Sequence, residues 1–483
     1  MREKEMRISR RKLIINLVLA IFVIGSGLAF VWEDTIVMNW LLMCIFFLCA
    51  YSVLKEKQYA TFFFYISFFL FLLDTVFFGL FNSQFKYDFM GSGQRERNVL
   101  LCLGISILGV YLGSMTNIKF KIGHFGAPEE KVIKSYSLKM ISDQMQSVLR
   151  GMAITFMMPE LIVALSKAVF VQSVSYDAYS LEFSSSMPSI INWMALVSPL
   201  IFFFYLGSLP RKKKAIPACG FYIFIGVVSL FYGQRNVVVI RFLVLISYFL
   251  IRNHNDRWGE IWITKRQLRL LVILAPLGIA FMSFWGSFRN GNDYNSTGIL
   301  DSALDGLLTQ GNCISILDFQ FRYGGQLQDK PYAIGGIISF LHNNIIGRMI
   351  GLQSIPAKAN TVETALYGYN YSCALMYVEN QRGYLLGFGI GSCFIAELLQ
   401  TFGYVGILLG SMVYGAVMNK LTKMKPRGFI TNGFALLMVQ TILLSPRASY
   451  DGFISGTFQV ANLFMAFILW GLNRFVWPEV KDE

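Results

Sequence analysis

Four charged residues stand in costly positions at or inside long apolar runs of this 483-residue sequence. Arg235 lies in the turn GQRN, Arg289 in SFRNGNDY and Arg447 in SPRASYDG, while Glu397 stands in the apolar run GFGIGSCFIAELLQTFGYVG. A guanidinium or carboxylate in such a place must be paired, face a wet cavity or serve a function. These residues therefore indicate a site, and the surrounding elements decide where it lies.

Each of these residues also has a purely structural interpretation. Glu397 could form a fixed ion pair with Arg447 or another arginine, and Asp451, four residues after Arg447, could be its helical partner. Arg235 could bind lipid headgroups. Arg241, six residues later and inside the next apolar run, either faces a protein interior or snorkels outward along its stem.

The elements that must position these residues are transmembrane helices. A span needs about twenty predominantly apolar residues, and 55% of the chain is hydrophobic. The sequence predicts an all-α polytopic membrane protein with about twelve transmembrane helices. The predicted spans are 13–31, 36–54, 61–82, 98–116, 148–171, 189–208, 218–232, 237–251, 270–287, 394–418, 429–444 and 453–472.

Basic residues in the connections predict the orientation of these spans. They fall on one side, in 7–12, 119–139, 210–214, 265–269 and 420–427. Since positive loops stay in the cytoplasm, that side and both termini are predicted to be cytoplasmic. The net charge of +14 then largely reflects the basic residues of the cytoplasmic loops. No nucleic-acid partner is expected.

The chain divides into three predicted segments. Residues 1–287 form an N-terminal bundle of about nine helices, 288–391 a large extracytoplasmic loop, and 392–483 a C-terminal bundle of about three helices. Arg235, Arg289 and Arg447 all fall at the membrane face that carries the loop. Within the loop, Leu300–Tyr323 and Ile334–Leu352 have the apolar spacing of helices.

The sequence predicts no cofactor and no metal. Seven cysteines form no CxxC pair and three histidines lack ligand spacing. No Walker loop or dinucleotide fingerprint is present. A disulfide bond between Cys313 and Cys373 is possible, but no pattern in the sequence supports it.

At these residues the chain resembles a known family. The run GIGSCFIAELLQTFGYVGILLGSMVYG (389–415) resembles the signature of bacterial O-antigen and oligosaccharide repeat-unit polymerases of the Wzy type. GQRNVVVIRFLVLISYFLI (233–251) is similar to their glycine-x-arginine span, KPYAIGGIISFLHNNIIGRMIGLQSIP (330–356) to their outer-loop segment, and SPR (445–447) to their late arginine. The resemblance covers mostly the chain from about residue 220 onward.

The resemblance implies a GT-C-like membrane glycosyltransferase in the bacterial cytoplasmic membrane. Such enzymes transfer a growing glycan from undecaprenyl pyrophosphate to the nonreducing end of another lipid-linked repeat unit. Arginine forks can stabilise the leaving pyrophosphate without a divalent metal, which gives Arg235, Arg289 and Arg447 catalytic roles. Glu397 is the first candidate for a general base and His342 the next, although positioning alone could suffice. A chain-length regulator and a flippase are candidate partners.

The resemblance also implies a substrate-binding set in and beside the loop. Arginines would bind phosphate, while tyrosines and asparagines would offer flat rings and amides to sugar, unless the tyrosines only mark the membrane interface. The predicted substrate-binding residues are Arg241, Arg322, Arg348, Arg382, His342, Tyr294, Tyr332 and Tyr384.

Two other functions remain open at this point. An exporter of the same lipid-linked oligosaccharide should have two matching halves with paired broken helices, and no such repeat is apparent. A ligase that moves finished glycan to a different acceptor is not excluded, but the glutamate-containing run favours a polymerase.

Overall fold

A computed structural model describes residues 2–82, 92–116, 142–173, 183, 186–255, 259–289, 308, 312–422 and 428–476. These ranges contain helices and turns and no strand. Ten helices in the described part are long and apolar enough to cross a membrane. They are α1 (Arg2–Val31), α2 (Thr35–Lys55), α3 (Tyr59–Gly79), α4 (Gln94–Met115), α5 (Asp143–Ser173), α6 (Ser189–Gly207), α7 (Lys212–Tyr232), α8 (Arg235–Asn255), α16 (Phe394–Thr422) and α17 (Phe429–Leu444).

Two further helices coincide with the remaining predicted spans. Helix α9 (Lys265–Arg289) covers the predicted 270–287, and α19 (Val460–Gly471) continues in a π-helical turn to Val476. The prediction began the last span at 453, which is wrong by seven residues. Asp451 starts a separate short helix, α18 (Gly452–Ser455), and Asn462 donates hydrogen bonds back to the carbonyls of Gly456 and Thr457.

In its described residues, the segment between α9 and α16 contains short helices joined by turns and irregular stretches such as 352–358 and 388–393, and no strand. These are α10 (Ser315–Tyr323), α11 (Gly335–Asn343), α12 (Ile345–Met349), α13 (Val362–Tyr367), α14 (Tyr371–Glu379) and α15 (Gln381–Leu385). The predicted helix over 334–352 is interrupted at Asn344, which is extended (φ −87°, ψ 169°) and whose side chain accepts from the Gly347 N–H at 2.6 Å. The amide therefore ends one helix and caps the next.

Small residues let α4 and α16 pack in close contact. A Cβ added to Gly113 would lie 2.0 Å from the Met412 carbonyl oxygen, and one added to Gly415 would lie 2.1 Å from that of Val110. In the same contact the hydroxyls of Ser106 and Ser411 lie 3.0 Å apart. Close backbone approach and interhelical hydrogen bonds are the main attractions between helices in lipid, so this contact anchors α16 in the bundle.

Alternation of the helices places one set of helix ends on a common face. The ends nearest the inserted segment are the starts of α4 and α8 and the end of α17. We call this side of the bundle the loop face. Arg95 at the start of α4 contacts Asp318 of the inserted α10, which places α4 at this face.

Candidate functional site

Helix α16 is broken at Gly403, and its first part folds back on its second. Gly403 has φ 65° and ψ −161°, a region that only glycine occupies readily. The Phe394 ring lies 5.2 Å from the Tyr414 ring, and a Cβ added to Gly410 would lie 2.6 Å from Leu398. In a continuous helix Phe394 and Tyr414 would be about 30 Å apart. The segment is therefore a helical hairpin whose first arm, 394–402, is re-entrant.

Glu397 lies in the first turn of that re-entrant arm and is buried, with 2% of its surface exposed. The Ser392 hydroxyl donates to Oε1 at 2.5 Å, and the backbone N–H of Tyr450 donates to Oε2 at 2.7 Å. The carboxylate thus joins the hairpin to the turn between α17 and α19. Two hydrogen bonds from different parts of the chain fix its orientation.

The turn that contacts Glu397 is held on both sides. The Tyr414 hydroxyl donates to the Tyr450 carbonyl at 2.6 Å, and the two rings lie 5.0 Å apart. The Tyr450 hydroxyl in turn donates to the Gly410 carbonyl at 3.3 Å. Because both arms of the hairpin contact this turn, the N–H that reaches Glu397 is fixed in place.

Asp451 connects the same turn to the inserted segment. Its Oδ2 accepts from the Ile337 N–H at 2.7 Å, at the start of α11. A Cβ added to Gly336 would lie 2.7 Å from Oδ1, so this approach requires glycine. Burial raises the pKa of Asp451 to about 6, although the N–H groups of Ile337 and Gly336 oppose the rise. Arg447 and Asp451 do not share a helix as the sequence suggested, because Ala448 between them is extended.

Arg447 lies below the loop face rather than at its edge. Helix α17 has 16 residues, about 24 Å, against a hydrocarbon core of about 30 Å. Its end is also anchored in the bundle, since the Ser67 hydroxyl in α3 donates to the Leu443 carbonyl. The turn Ser445–Arg447 that follows α17 is therefore recessed.

A carboxylate that the sequence analysis missed faces the same recess. Asp74 is fully buried in α3, directly after the π-helical turn Phe69–Leu73, and accepts from the Thr75 N–H at 2.7 Å. That turn packs against both Ser445–Arg447 and the inserted Asn312–Ile314. Burial raises the pKa of Cys313 to about 11, while the charge of Arg447 opposes the rise and that of Asp74 adds to it. Asp74 and Arg447 thus both lie near Cys313.

Arg241 is buried and does not snorkel, so that interpretation is wrong. It forms an ion pair with Glu160 of α5, donates to the Tyr222 carbonyl at 2.7 Å, and stacks on the Tyr222 ring at 4.2 Å. The Ser198 hydroxyl of α6 donates to the other Glu160 oxygen at 2.7 Å. Four helices meet at this ion pair. Its role as a substrate ligand stays a prediction, because binding would require Arg241 to leave Glu160.

The other predicted arginines of the membrane face are placed in part. Arg235 is half-buried and begins α8, after a turn in which Gly233 has φ 90°. Helix α9 ends at Arg289. The side chain of Arg289 and the whole of Tyr294 lie outside the described residues, so their roles stay predictions.

The predicted ligands of the inserted segment separate into internal and exposed groups. Tyr332 and Tyr384 are buried, with 2% and 1% exposed, and the Tyr384 hydroxyl donates to the Thr361 carbonyl at 3.1 Å. Their rings pack inside the segment rather than present a face at its surface. The His342 ring bonds to the Gln353 carbonyl through Nδ1 at 2.9 Å. Arg348 and Arg382 are exposed.

Arg322 belongs to a cluster that the sequence did not reveal. The buried Asp318 lies between Arg322, one turn later at 2.6 Å, and Arg95 of α4 at 3.0 Å. Next to it, the Tyr371 hydroxyl donates to the Gln320 Oε1 at 2.6 Å and the Gln320 amide donates to Gln400 of the re-entrant arm. Helix α10 therefore joins this cluster to the hairpin that carries Glu397. Cys313 and Cys373 are both free thiols, so these two residues do not form the disulfide bond that the sequence allowed.

The missed residues share one signal in the sequence. Asp74 and Glu160 each interrupt a long apolar run, as Glu397 does, in FFLFLLDTVFFG and TFMMPELIVAL. An ionisable residue within a span is a functional or structural site by default. Applying that criterion to every span would have found both.

In the part of the chain that the structure describes, these helices define a polytopic all-α membrane protein. The model of the family described as O-antigen polysaccharide polymerase Wzy matches residues 12–477, and the chain belongs to this family. Searches of curated proteins and of solved structures give no match. Membership extends the resemblance to the N-terminal spans and supports the role of a membrane polymerase of oligosaccharide repeat units.

Proposed function

We propose that this protein polymerises oligosaccharide repeat units carried on undecaprenyl pyrophosphate during the synthesis of a surface polysaccharide. It transfers the growing glycan from its carrier to the nonreducing end of another lipid-linked unit. The acceptor hydroxyl forms a bond with the anomeric carbon, and the bond from that carbon to the pyrophosphate oxygen breaks. The pyrophosphate leaves with the electron pair, and the hydroxyl proton passes to a base.

The observation that supports this proposal is the fixed carboxylate of Glu397, which accepts from the turn between α17 and α19 that also contains Arg447. Glu397 accepts from Tyr450, three residues after Arg447 in the same turn. A carboxylate and a guanidinium together supply both functions that the transfer needs, proton acceptance and stabilisation of a developing anion. We assign proton acceptance to Glu397 and leaving-group stabilisation to Arg447, with Arg235 and Arg289 at the loop face. No step in this assignment requires a divalent metal.

The inserted segment supplies the sugar-binding side of the proposed site. At the start of its α11 the Ile337 N–H donates to Asp451. Gln320 of its α10 donates to Gln400 in the re-entrant arm. The exposed Arg348 and Arg382 are available to phosphate or acidic sugar. The segment thus lies directly against the residues assigned to chemistry.

The proposed topology follows the basic loops. The loop face is extracytoplasmic, both termini are cytoplasmic, and the membrane is the bacterial inner membrane. A flippase would deliver the lipid-linked units to this face, and a chain-length regulator would act on the product.

Surface glycan length tests this function in cells. A strain lacking its own polymerase is complemented with wild type, Glu397→Gln, Arg447→Ala or Arg235→Ala, at matched expression. Wild type should restore a polymer ladder, and the variants should leave single repeat units. The controls Glu363→Gln and Arg266→Ala change exposed residues and should retain the ladder. Full ladders from all three site variants would reject the proposed site.

A further inference from the structure

The structure assigns a second anion site to Arg95 and Arg322, and we infer that it binds the diphosphate group of a polyisoprenyl carrier. The inference rests on the proposed function, because it specifies where a lipid-linked unit is held. Its basis is an arrangement of three charged side chains from two parts of the chain, α4 and α10.

The cluster has more positive charge than its own carboxylate requires. Asp318 is buried, with its side chain 1% exposed, and both guanidiniums approach it, Arg95 at Oδ1 and Arg322 at Oδ2. Arg322 is one helical turn away on α10 and would compensate the carboxylate by itself. Within this group of three side chains Arg95 therefore adds one positive charge, and the neighbouring Glu96 of α4 is buried and accepts from Asn39 of α2 at 3.5 Å. Two guanidiniums held on one carboxylate leave donors and charge that suit an anionic ligand.

The geometry leaves both guanidiniums able to bind. Their side chains are 36% and 34% exposed, and within the described part of the chain Asp318 is the acidic partner of both. A guanidinium has five N–H donors, and each uses a small part of them on Asp318. Because Asp318 fixes the two side chains, the remaining donors are oriented before a ligand arrives, as bidentate recognition of phosphate requires.

The start of α4 adds a second source of positive potential. Its N-cap is Gly93, which provides no side-chain hydrogen bond to the first turn. The 22-residue helix thus places the positive end of its dipole beside Arg95, with one acidic side chain, Glu96, in the same first turn. Helix N-terminus and guanidinium pair act on the same anion.

The cluster lies beside the site of chemistry. Cys313 lies near Arg447, and Asp318 follows Cys313 in the chain by about one and a half helical turns. On the other side, Gln320 bonds to Gln400 in the re-entrant arm. A diphosphate at Arg95 and Arg322 would therefore be held next to the recess that contains Arg447. Polymerisation brings two lipid diphosphates to one face, and two arginine groups suit that requirement.

Binding measured without turnover tests this assignment. Purified full-length protein in detergent is titrated by calorimetry with farnesyl diphosphate and with inorganic pyrophosphate. Arg95→Ala and Arg322→Ala should each raise the Kd for both ligands about tenfold or more, with the melting temperature little changed. Arg95→Lys should recover only part of the affinity, because it keeps the charge and loses the fork. Arg266→Ala is the control and should bind as wild type.

Two further arms separate a ligand site from a structural contact. Arg95→Gln can still donate to Asp318 but has no charge, so it should bind as weakly as Arg95→Ala. Wild-type affinity in Arg95→Gln, or in both alanine variants, overturns the assignment. The assignment is also overturned if the arginine variants lose only their binding to phosphatidylglycerol vesicles while their affinity for the two diphosphates is unchanged. If the protein elongates glycan but binds diphosphates equally well without these arginines, only this inference is rejected. If diphosphate binding depends on the arginines but no elongation occurs, only the proposed function is rejected.

Discussion

At the residue scale, the central feature is a carboxylate whose two oxygens are held by different parts of the chain. Ser392 precedes the re-entrant arm and Tyr450 belongs to the turn between α17 and α19. Neither donor is a cation, so Glu397 is oriented by hydrogen bonds rather than neutralised by them. A base needs this combination of fixed direction and retained proton affinity.

Replacing Glu397 by glutamine should remove that proton affinity while nearly preserving the shape. We expect the polymerisation rate to fall about 100-fold or more, the usual contribution of a general base. Rates are measured with purified protein and lipid-linked units, and Glu363→Gln serves as the exposed control. A rate within twofold of wild type in Glu397→Gln would show that positioning, not proton transfer, carries the reaction.

The direction of the pKa shift of Asp451 determines the sign of a pH dependence of stability. Its pKa is raised from the usual value to about 6 by burial, so the folded state holds a proton more tightly than the unfolded chain does. The stabilisation is therefore complete below about pH 4 and is lost as the pH rises through about 6. The two units correspond to at most about 3 kcal/mol.

Melting temperatures in detergent between pH 4.5 and pH 7 test this sign. The wild-type melting temperature should fall with rising pH by more than that of Asp451→Asn, because asparagine does not titrate. Asp329→Asn, at an exposed position, should follow wild type. Parallel curves for wild type and Asp451→Asn would contradict the assignment.

At the element scale, a helical hairpin replaces a straight span. The fold-back at Gly403 brings the first turn of α16 against Tyr414 and Tyr450, and only this places Glu397 beside the turn with Arg447. Irregular backbone at membrane depth is tolerated where protein or a wet cavity surrounds it. The break is therefore part of the site.

A side chain at Gly403 should strain the hairpin. Alanine is disfavoured at φ 65°, ψ −161°, and the cost should be about 1–3 kcal/mol. Thermal unfolding in detergent measures it. The matched control is Gly220→Ala, where an added Cβ meets open space inside a helix, and which should be neutral or slightly stabilising. Equal melting temperatures for the two variants would reject a strained break.

At the scale of the whole molecule, the bundle is joined by a buried ion pair distant in sequence from the hairpin. Glu160 and Arg241 link α5 and α8, while Ser198 and Tyr222 add α6 and α7. Removing one partner leaves an uncompensated buried charge. The pair therefore fixes α8, the helix that begins at Arg235, against three neighbouring helices.

Removing Arg241 alone should cost more than removing both charges. Arg241→Leu should destabilise the protein by about 3–5 kcal/mol, and Arg241→Leu with Glu160→Leu should recover much of that loss. Unfolding of the two variants in the same detergent provides the comparison. If the double variant is as unstable as the sum of its single variants, the two residues do not act as a pair.

The sequence predicted helices and candidate charges but not their partners. Apolar runs define spans because the bilayer requires them, and the family signature marked Glu397 and Arg447. Tyr450 reaches Glu397 through a backbone N–H, which no residue type reveals. Arg95 and Asp318 are separated by 223 residues, so only tertiary packing brings them together.

Elongation by the isolated protein tests the central claim most directly. Purified protein in detergent is supplied with lipid-linked repeat units, a metal chelator and no membrane gradient, and the products are separated by length. We predict a polymer ladder with wild type and none with Glu397→Gln. No ladder from wild type in this assay would contradict the polymerase assignment, and movement of lipid-linked units in a parallel vesicle assay would then make the protein an exporter.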